Sequence, residues 1–180
     1  ASNYKGNVES IGVGVLGAKY KTDKWKHQFW NYYNENVFNL SFMQNEYALI
    51  RAKTTYHFGF QALYQTAVNV GGNEDPTLSY VLKDEFTYAF GGKMGLSRGR
   101  HDVSLNYLHI SDNGRFLFPR EWGRERFFAS IPRERFEGAG GVNAITLKYK
   151  YVFKNETMYA EFGASSVTHQ SLDDMRLNKY

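Results

Sequence analysis

Glu85-Phe86-Thr87-Tyr88-Ala89-Phe90-Gly91-Gly92-Lys93-Met94-Gly95-Leu96 is the stretch that decides the fold class. Phe86, Tyr88, Phe90, Gly92, Met94 and Leu96 share one parity; Glu85, Thr87, Ala89, Gly91, Lys93 and Gly95 share the other. A repeat of two belongs to a β-strand, whose successive side chains point to opposite faces, and not to a helix with its period of 3.6. The pattern predicts a strand with Phe86, Tyr88, Phe90, Met94 and Leu96 on an apolar face and Thr87, Ala89, Gly91 and Lys93 on the opposite one.

The same reading extends in both directions. Ser97-Arg98-Gly99-Arg100 is a turn signal, and beyond it Val103, Leu105 and Tyr107 alternate with Asp102, Ser104 and Asn106, which predicts a hairpin. Ile145, Leu147, Tyr149, Tyr151 and Phe153 alternate with Ala144, Thr146, Lys148 and Lys150. A short turn at Lys154-Asn155-Glu156-Thr157 then leads to Met158, Ala160, Phe162 and Ala164, a second hairpin. Toward the N-terminus, Ile11, Val13 and Val15 open a strand, Lys21-Thr22-Asp23-Lys24 turns it, and an aromatic-rich run covers Trp25 to Tyr33. Further candidates cover Val37 to Glu46 and Lys53 to Thr66, so the chain carries about eight strands. Tight turns near 22, 98 and 155 alternate with long polar stretches at 69–83 and 111–141, the short-and-long plan of an outer-membrane barrel.

Composition agrees with strands: aromatics make up 17%, Tyr and Phe contribute 14 each, and Pro only 3. No run approaches the roughly 20 apolar residues of a spanning helix, and mean hydropathy is −0.55. A barrel strand escapes that test, because it alternates lipid-facing apolar with lumen-facing polar residues. A soluble β-sandwich or lipocalin-like barrel alternates too, and aromatic placement favours the membrane: Trp25, Phe29, Trp30, Tyr32 and Tyr33 cluster as an interfacial girdle would, or as a core or loop cluster would. With no cysteine, disulfides, thiolate nucleophiles and Cys-based metal sites are excluded. The Ala1-Ser2-Asn3-Tyr4 start carries no secretory signature, so targeting is not legible there. The net charge of +4 matters only where the positive side chains converge. No repeat or linker divides the chain, and residues 1–180 read as part of one β-barrel unit.

The segment Phe116-Leu117-Phe118-Pro119-Arg120-Glu121-Trp122-Gly123-Arg124-Glu125-Arg126, followed by Ile131-Pro132-Arg133-Glu134-Arg135-Phe136-Glu137-Gly138-Ala139-Gly140, holds the most specific information. Together with the closing Leu177-Asn178-Lys179-Tyr180 it resembles the OprD-like family of outer-membrane porins, most clearly from about Ser104 to Asn143. The resemblance implies an all-β transmembrane antiparallel barrel of about 18 strands in the bacterial outer membrane, narrowed by inward-folded loops. It also implies basic side chains that guide small carboxylate-bearing solutes. About eight strands do not close such a barrel, so the chain is expected to be a part of one.

Arg120, Arg124, Arg133 and Arg135 match the motif and are the first candidates for lining a passage. Arg133 and Arg135 share parity if extended, and a guanidinium fork suits a carboxylate. The structural alternative is an Arg/Glu lattice with Glu121, Glu125, Glu134 and Glu137 that holds the loop to the wall. Lys93 and Lys148, with Lys150 beside them, lie on polar parities and are lumen candidates, against the alternative of a solvated strand face. Arg51 and Lys53 are weaker ones. His27, His57, His101, His109 and His169 show no mutual spacing for a metal or a triad, and Asp173-Asp174 reads as solvated surface before a calcium site. Gly91-Gly92 and Gly138-Ala139-Gly140-Gly141 precede no helix pattern, so no phosphate loop is expected, and no nucleic-acid motif is present.

These readings lead to a diffusion channel rather than an enzyme, with no catalytic residue, metal or cofactor. The expected partners are outer-membrane lipid and small carboxylate or other hydrophilic solutes, and a homo-oligomer is compatible with them. The competing classes are a soluble all-β binding protein and an outer-membrane barrel enzyme. The enzyme would need a Ser/His/Asp arrangement that no spacing supplies.

Overall fold

The structure is a computed structural model that describes residues 7–119, 127–132, 136–154 and 158–168. Eight strands form a single antiparallel sheet in chain order: β1 (Val13–Lys21), β2 (Trp25–Asn34), β3 (Phe38–Arg51), β4 (Thr54–Ala67), β5 (Phe86–Arg98), β6 (His101–Ile110), β7 (Val142–Val152) and β8 (Tyr159–Thr168). No helix occurs among the described residues.

Each strand pairs only with its sequence neighbours, so every connection is a simple reversal. The tight turns at 22–24, 52–53 and 99–100 share one end of the sheet. Gly99 takes φ +59° in the third of these, a conformation that a two-residue hairpin requires and glycine adopts without steric cost. The segments 68–85 and 111–141 connect strands at the opposite end, where the turn at 35–37 is the one short link.

The two faces of the sheet differ as the alternation in β5 requires. Phe86, Tyr88, Phe90, Met94 and Leu96 are exposed on a bare outer face, while Thr87 and Ala89 are buried on the inner one. In register with them, outer Phe58, Phe60 and Tyr64 of β4 and Leu105 of β6 continue the apolar surface. Large side chains stay exposed there because none of the described residues packs as a layer on that face.

The buried core lies on the inner face beneath the 111–141 segment. It joins Phe38, Leu40, Leu63, Ala89, Leu108, Ile110, Val142 and Ala144 of the sheet to Phe116, Leu117, Phe127, Ala129 and Phe136 of the loop. Phe127 sits edge-on to Phe116 at 5.2 Å and to Phe136 at 6.3 Å, the arrangement that opposed ring quadrupoles favour. The aromatic run in β2 divides by parity: Trp25, Phe29 and Tyr33 are exposed on the outer face. Trp30 and Tyr32 point inward, Tyr32 meeting Phe118 edge-on at 5.5 Å. The expected girdle therefore contains three of the five aromatics of that cluster.

Candidate functional site

The inner face is split into a covered half near the long connections and an open half near the tight turns. In the covered half, neutral polar side chains of the strands hold the loop backbone. Gln65 grips Leu117 at two points, donating from Nε2 to the carbonyl (2.7 Å) and accepting the backbone N–H at Oε1 (2.9 Å). Gln61 accepts from Phe128 N (2.9 Å) while donating to Gln44 Oε1 (2.6 Å). Thr87 donates to the carbonyl of Arg115 (3.0 Å) and Thr146 to that of Ala129 (2.7 Å). Apart from the Gln61–Gln44 bond between strands, each satisfies a loop group that burial would otherwise leave unpaired, at a cost of about 1–3 kcal/mol apiece.

A buried ion pair ties the two long connections together. Arg115 Nε lies 3.5 Å from Glu85 Oε1, and both side chains are almost fully buried. Glu85 also accepts the backbone N–H groups of Arg115 (2.9 Å) and Leu82 (2.9 Å), and Arg115 Nη2 donates to Tyr80 O (3.3 Å). Additional hydrogen bonds of this kind are what make a buried ion pair tolerable after its desolvation.

The open half is charged. By register, β1 and β2 set Lys19, Lys21 and Lys26 on the inner face, with Lys21 directly opposite Lys26 and Lys26 opposite Glu46. Like charges directly opposite one another destabilise a sheet, so this placement favours the fold less than a neutral pair would. Lys93 Nζ lies 3.8 Å from Glu46 Oε2 and 5.7 Å from the Phe128 ring centroid. A cavity of about 440 Å³ opens between the tight turns, walled by Lys21, Lys24, Lys26, Glu46 and His57.

Of the residues singled out in the sequence, Lys93 and Lys148 stand on the inner face. Lys148 Nζ donates to the carbonyl of Ser130 (2.6 Å), which engages it with the loop. Lys150 shares its parity and lies 4.1 Å from the Tyr159 ring centroid. Arg51 pairs with Thr54 at a tight turn on the outer parity. Arg120, Arg124, Arg133 and Arg135 lie outside the described residues, as do Glu121, Glu125, Glu134, His169, Asp173 and Asp174. Sequence reasoning passed over Lys19, Lys21 and Lys26, whose alternation with Leu16, Ala18, Tyr20, Trp25 and His27 was the available signal.

One constellation was not anticipated. His57, Ser97 and Asp102 meet on the inner face: His57 Nε2 is 2.6 Å from Ser97 Oγ and 3.8 Å from Asp102 Oδ2, and the Ser97 hydroxyl donates to Asp102. A nucleophilic triad needs the imidazole between the hydroxyl and the carboxylate, so that it takes the hydroxyl proton. Here the hydroxyl stands between the other two and directs its hydrogen bond to the carboxylate. The group joins β4, β5 and β6 and does not generate a nucleophile.

No protein-family model and no curated protein matches this sequence. Solved structures match its fold. OccK9 (OpdG) of Pseudomonas aeruginosa superposes with a TM-score of 0.73 at 14% identity, over 96% of this chain and 43% of that one. OccAB4 of Acinetobacter baumannii gives 0.70 at 17%, over 87% and 38%. OccD1 (OprD) gives 0.65 at 12%, over 86% and 38%. The chain has the OprD-type porin fold. The OprD-type likeness covers most of this chain and less than half of each of those proteins. It places the apolar outer face and the loop-covered inner face in the frame that the family resemblance in the sequence implies.

Proposed function

We propose that this chain forms part of the wall of a bacterial outer-membrane porin through which small hydrophilic solutes diffuse, anionic or carboxylate-bearing ones preferentially. The observation that carries this reading is the division of the inner face. Its loop-covered half narrows the space beside the wall, and its open half presents Lys19, Lys21, Lys26 and Lys93 with Glu46 and Asp102 as acidic side chains on the same face. Fixed positive charge beside a low-dielectric wall raises the local concentration of anions. Lys148 and Lys150 extend the basic row toward β7, and Arg120, Arg124, Arg133 and Arg135, which lie outside the described residues, are further candidates for the passage. The outer face meets lipid, since exposed aromatic and aliphatic rows suit hydrocarbon and not water. The enzyme alternative loses support because the hydroxyl of Ser97 is turned to a carboxylate.

The test is reconstitution of the full barrel that contains this chain in a planar bilayer under a salt gradient. The expected reversal potential is anion-selective. Replacing Lys19, Lys21 and Lys26 together by Gln moves it toward the cation side and slows uptake of a small carboxylate while leaving a neutral solute of similar size unaffected. Equal carboxylate flux at low ionic strength in a folded triple variant rejects the anionic preference. Recovery of the native protein outside the outer-membrane fraction rejects the porin reading itself.

A further inference from the structure

At the tight turns the register sets two arginines on the outer face with a threonine between them. Arg51 of β3 stands opposite Thr54 of β4, and Thr54 stands opposite Arg98 of β5, all on the parity of Phe58 and Phe90. Neighbouring strands lie about 4.8 Å apart, so the two arginine backbones are about 10 Å from each other. Both arginines are exposed. Among the described residues no ion pair or side-chain hydrogen bond engages either guanidinium or the Thr54 hydroxyl. The outer parity of β3 to β6 carries no acidic side chain, and the adjoining turns add Lys53 and Arg100.

Two residues further along each strand the same rows turn apolar. Leu49, Tyr56, Leu96 and Val103 stand opposite one another, and Phe58 and Met94 follow. Tyr56, Leu96 and Phe58 are each about two-fifths exposed. A soluble anion would gain nothing from those rows. An amphiphile would lay its hydrocarbon along them and set its head between the arginines. A guanidinium fork presents paired N–H donors that match two oxygens of a phosphate, and the Thr54 hydroxyl supplies one more donor. A headgroup ammonium would face Lys53 and Arg100 with no carboxylate on these rows, so the complementary head carries a net negative charge.

We propose that Arg51, Thr54 and Arg98 bind the phosphate of an anionic phospholipid in the leaflet that meets the tight turns, a site that rests on the membrane-barrel reading above. Short turns of such a barrel lie on the periplasmic side, which places the row at the headgroups of the inner leaflet. The two arginines close on the phosphate from either side, Lys53 and Arg100 add positive potential from the turn tips, and the acyl chains follow Tyr56, Leu96 and Phe58.

The full barrel that contains this chain is labelled with bimane at Val103→Cys, in a background without other cysteines, and reconstituted in phosphatidylcholine bilayers. Nitroxide-bearing phosphatidylglycerol or phosphatidylcholine is titrated in, and quenching reads which lipid occupies the surface beside Arg98. The expected preference for phosphatidylglycerol is about fivefold or more, the effect of one basic residue near an anionic surface. A label at Phe90→Cys, remote from the row on β5, shows no such preference. Replacing both arginines by Gln abolishes the preference at Val103→Cys, and if that barrel does not fold, Arg98→Gln alone removes most of it. Equal quenching by the two lipids, the same preference at both labels, or a preference that survives the replacements overturns this inference and leaves the porin reading intact. So does loss of the preference on adding inorganic phosphate at constant ionic strength, which makes the row a site for a soluble anion, or arginine-dependent co-sedimentation with peptidoglycan without any lipid preference. Absence of the barrel from the outer-membrane fraction overturns the reading on which it rests.

Discussion

The covered and open halves of the inner face lie on the same strands and the same parity, yet they are built from different chemistry. The covered half is apolar with neutral amides and hydroxyls: Leu63, Gln65, Thr87, Ala89, Leu108 and Ala144. The open half is ionic, with Lys26, Glu46, Lys93 and Asp102. A face that must bury loop backbone needs partners of fixed geometry and no net charge, because an unpaired charge under a dry loop is costly. A face that meets water keeps its charges solvated, and mutual repulsion such as that between Lys21 and Lys26 is then tolerable. Parity alone thus separates the outer face from the inner one, while residue chemistry along one parity separates the half that holds the loop from the half left open.

Replacements in the covered half should have the largest effect. Phe116 is fully buried among Phe118, Phe127 and the sheet, so Phe116→Ala should destabilise the docked loop by about 3–5 kcal/mol. Limited proteolysis of the folded barrel should then cut within 111–141 while the strands resist. Uncut loop at wild-type rates would break the comparison.

Gln65→Leu keeps the bulk and removes both bonds to Leu117, leaving two buried backbone groups unpaired at about 1–3 kcal/mol each. Faster hydrogen exchange at the Leu117 amide, with the β4 and β5 amides unchanged, is the expected outcome. It would sharpen the distinction by showing that an inner-face amide serves the loop and not the sheet.

In the open half, Glu46→Gln should change stability by less than about 1 kcal/mol, since the pair with Lys93 is partly exposed. Its effect should appear instead in selectivity: a reversal potential shifted further toward anions, measured in the same bilayer as the wild type. A large loss of stability there would mean that the two halves are not distinct.

The smallest effect concerns a group outside both halves. Asp75 lies in the 68–85 connection, where the Thr77 hydroxyl (2.7 Å) and backbone N–H (2.9 Å) donate to its carboxylate and hold its pKa below the ordinary value of 3.8. Because the folded group titrates lower than the unfolded one, its stabilisation of this turn is present above pH 3.8 and lost as pH falls through the lowered value. Amide exchange at Thr77 should rise only in that acidic window, and Asp75→Asn should flatten the dependence. Inner-face bonds such as that of Gln65 should show no such change.

Much of the architecture was legible in the chain. The period-two runs around Phe86–Leu96, Val103–Tyr107 and Ile145–Phe153 fixed strands and faces, because alternation is a local property of the backbone. Lys93 and Lys148 were placed on the inner parity by the same logic. Their different engagements were not legible: Lys148 meets the carbonyl of Ser130, 18 residues away in sequence, and Lys93 meets Glu46 across β4. The Gln65 grip on Leu117 spans 52 residues, and a glutamine on an inward parity does not announce its partner. The missed row of Lys19, Lys21 and Lys26 is another matter, since its alternation was present in the sequence beside a run whose aromatics drew the reading.

The sequence by itself determined the strands, their two faces and the long connection at 111–141, because side-chain alternation and turn chemistry act over a few residues. Only the tertiary structure decided which half of the inner face the loop covers, that Ser97 stands between His57 and Asp102, and that Gly59 leaves room for the Phe128 ring. A Cβ at Gly59 would come within 2.6 Å of that ring. Those outcomes depend on packing between segments far apart in the chain, where the free energy of a contact is set by what burial leaves unpaired and not by any local pattern.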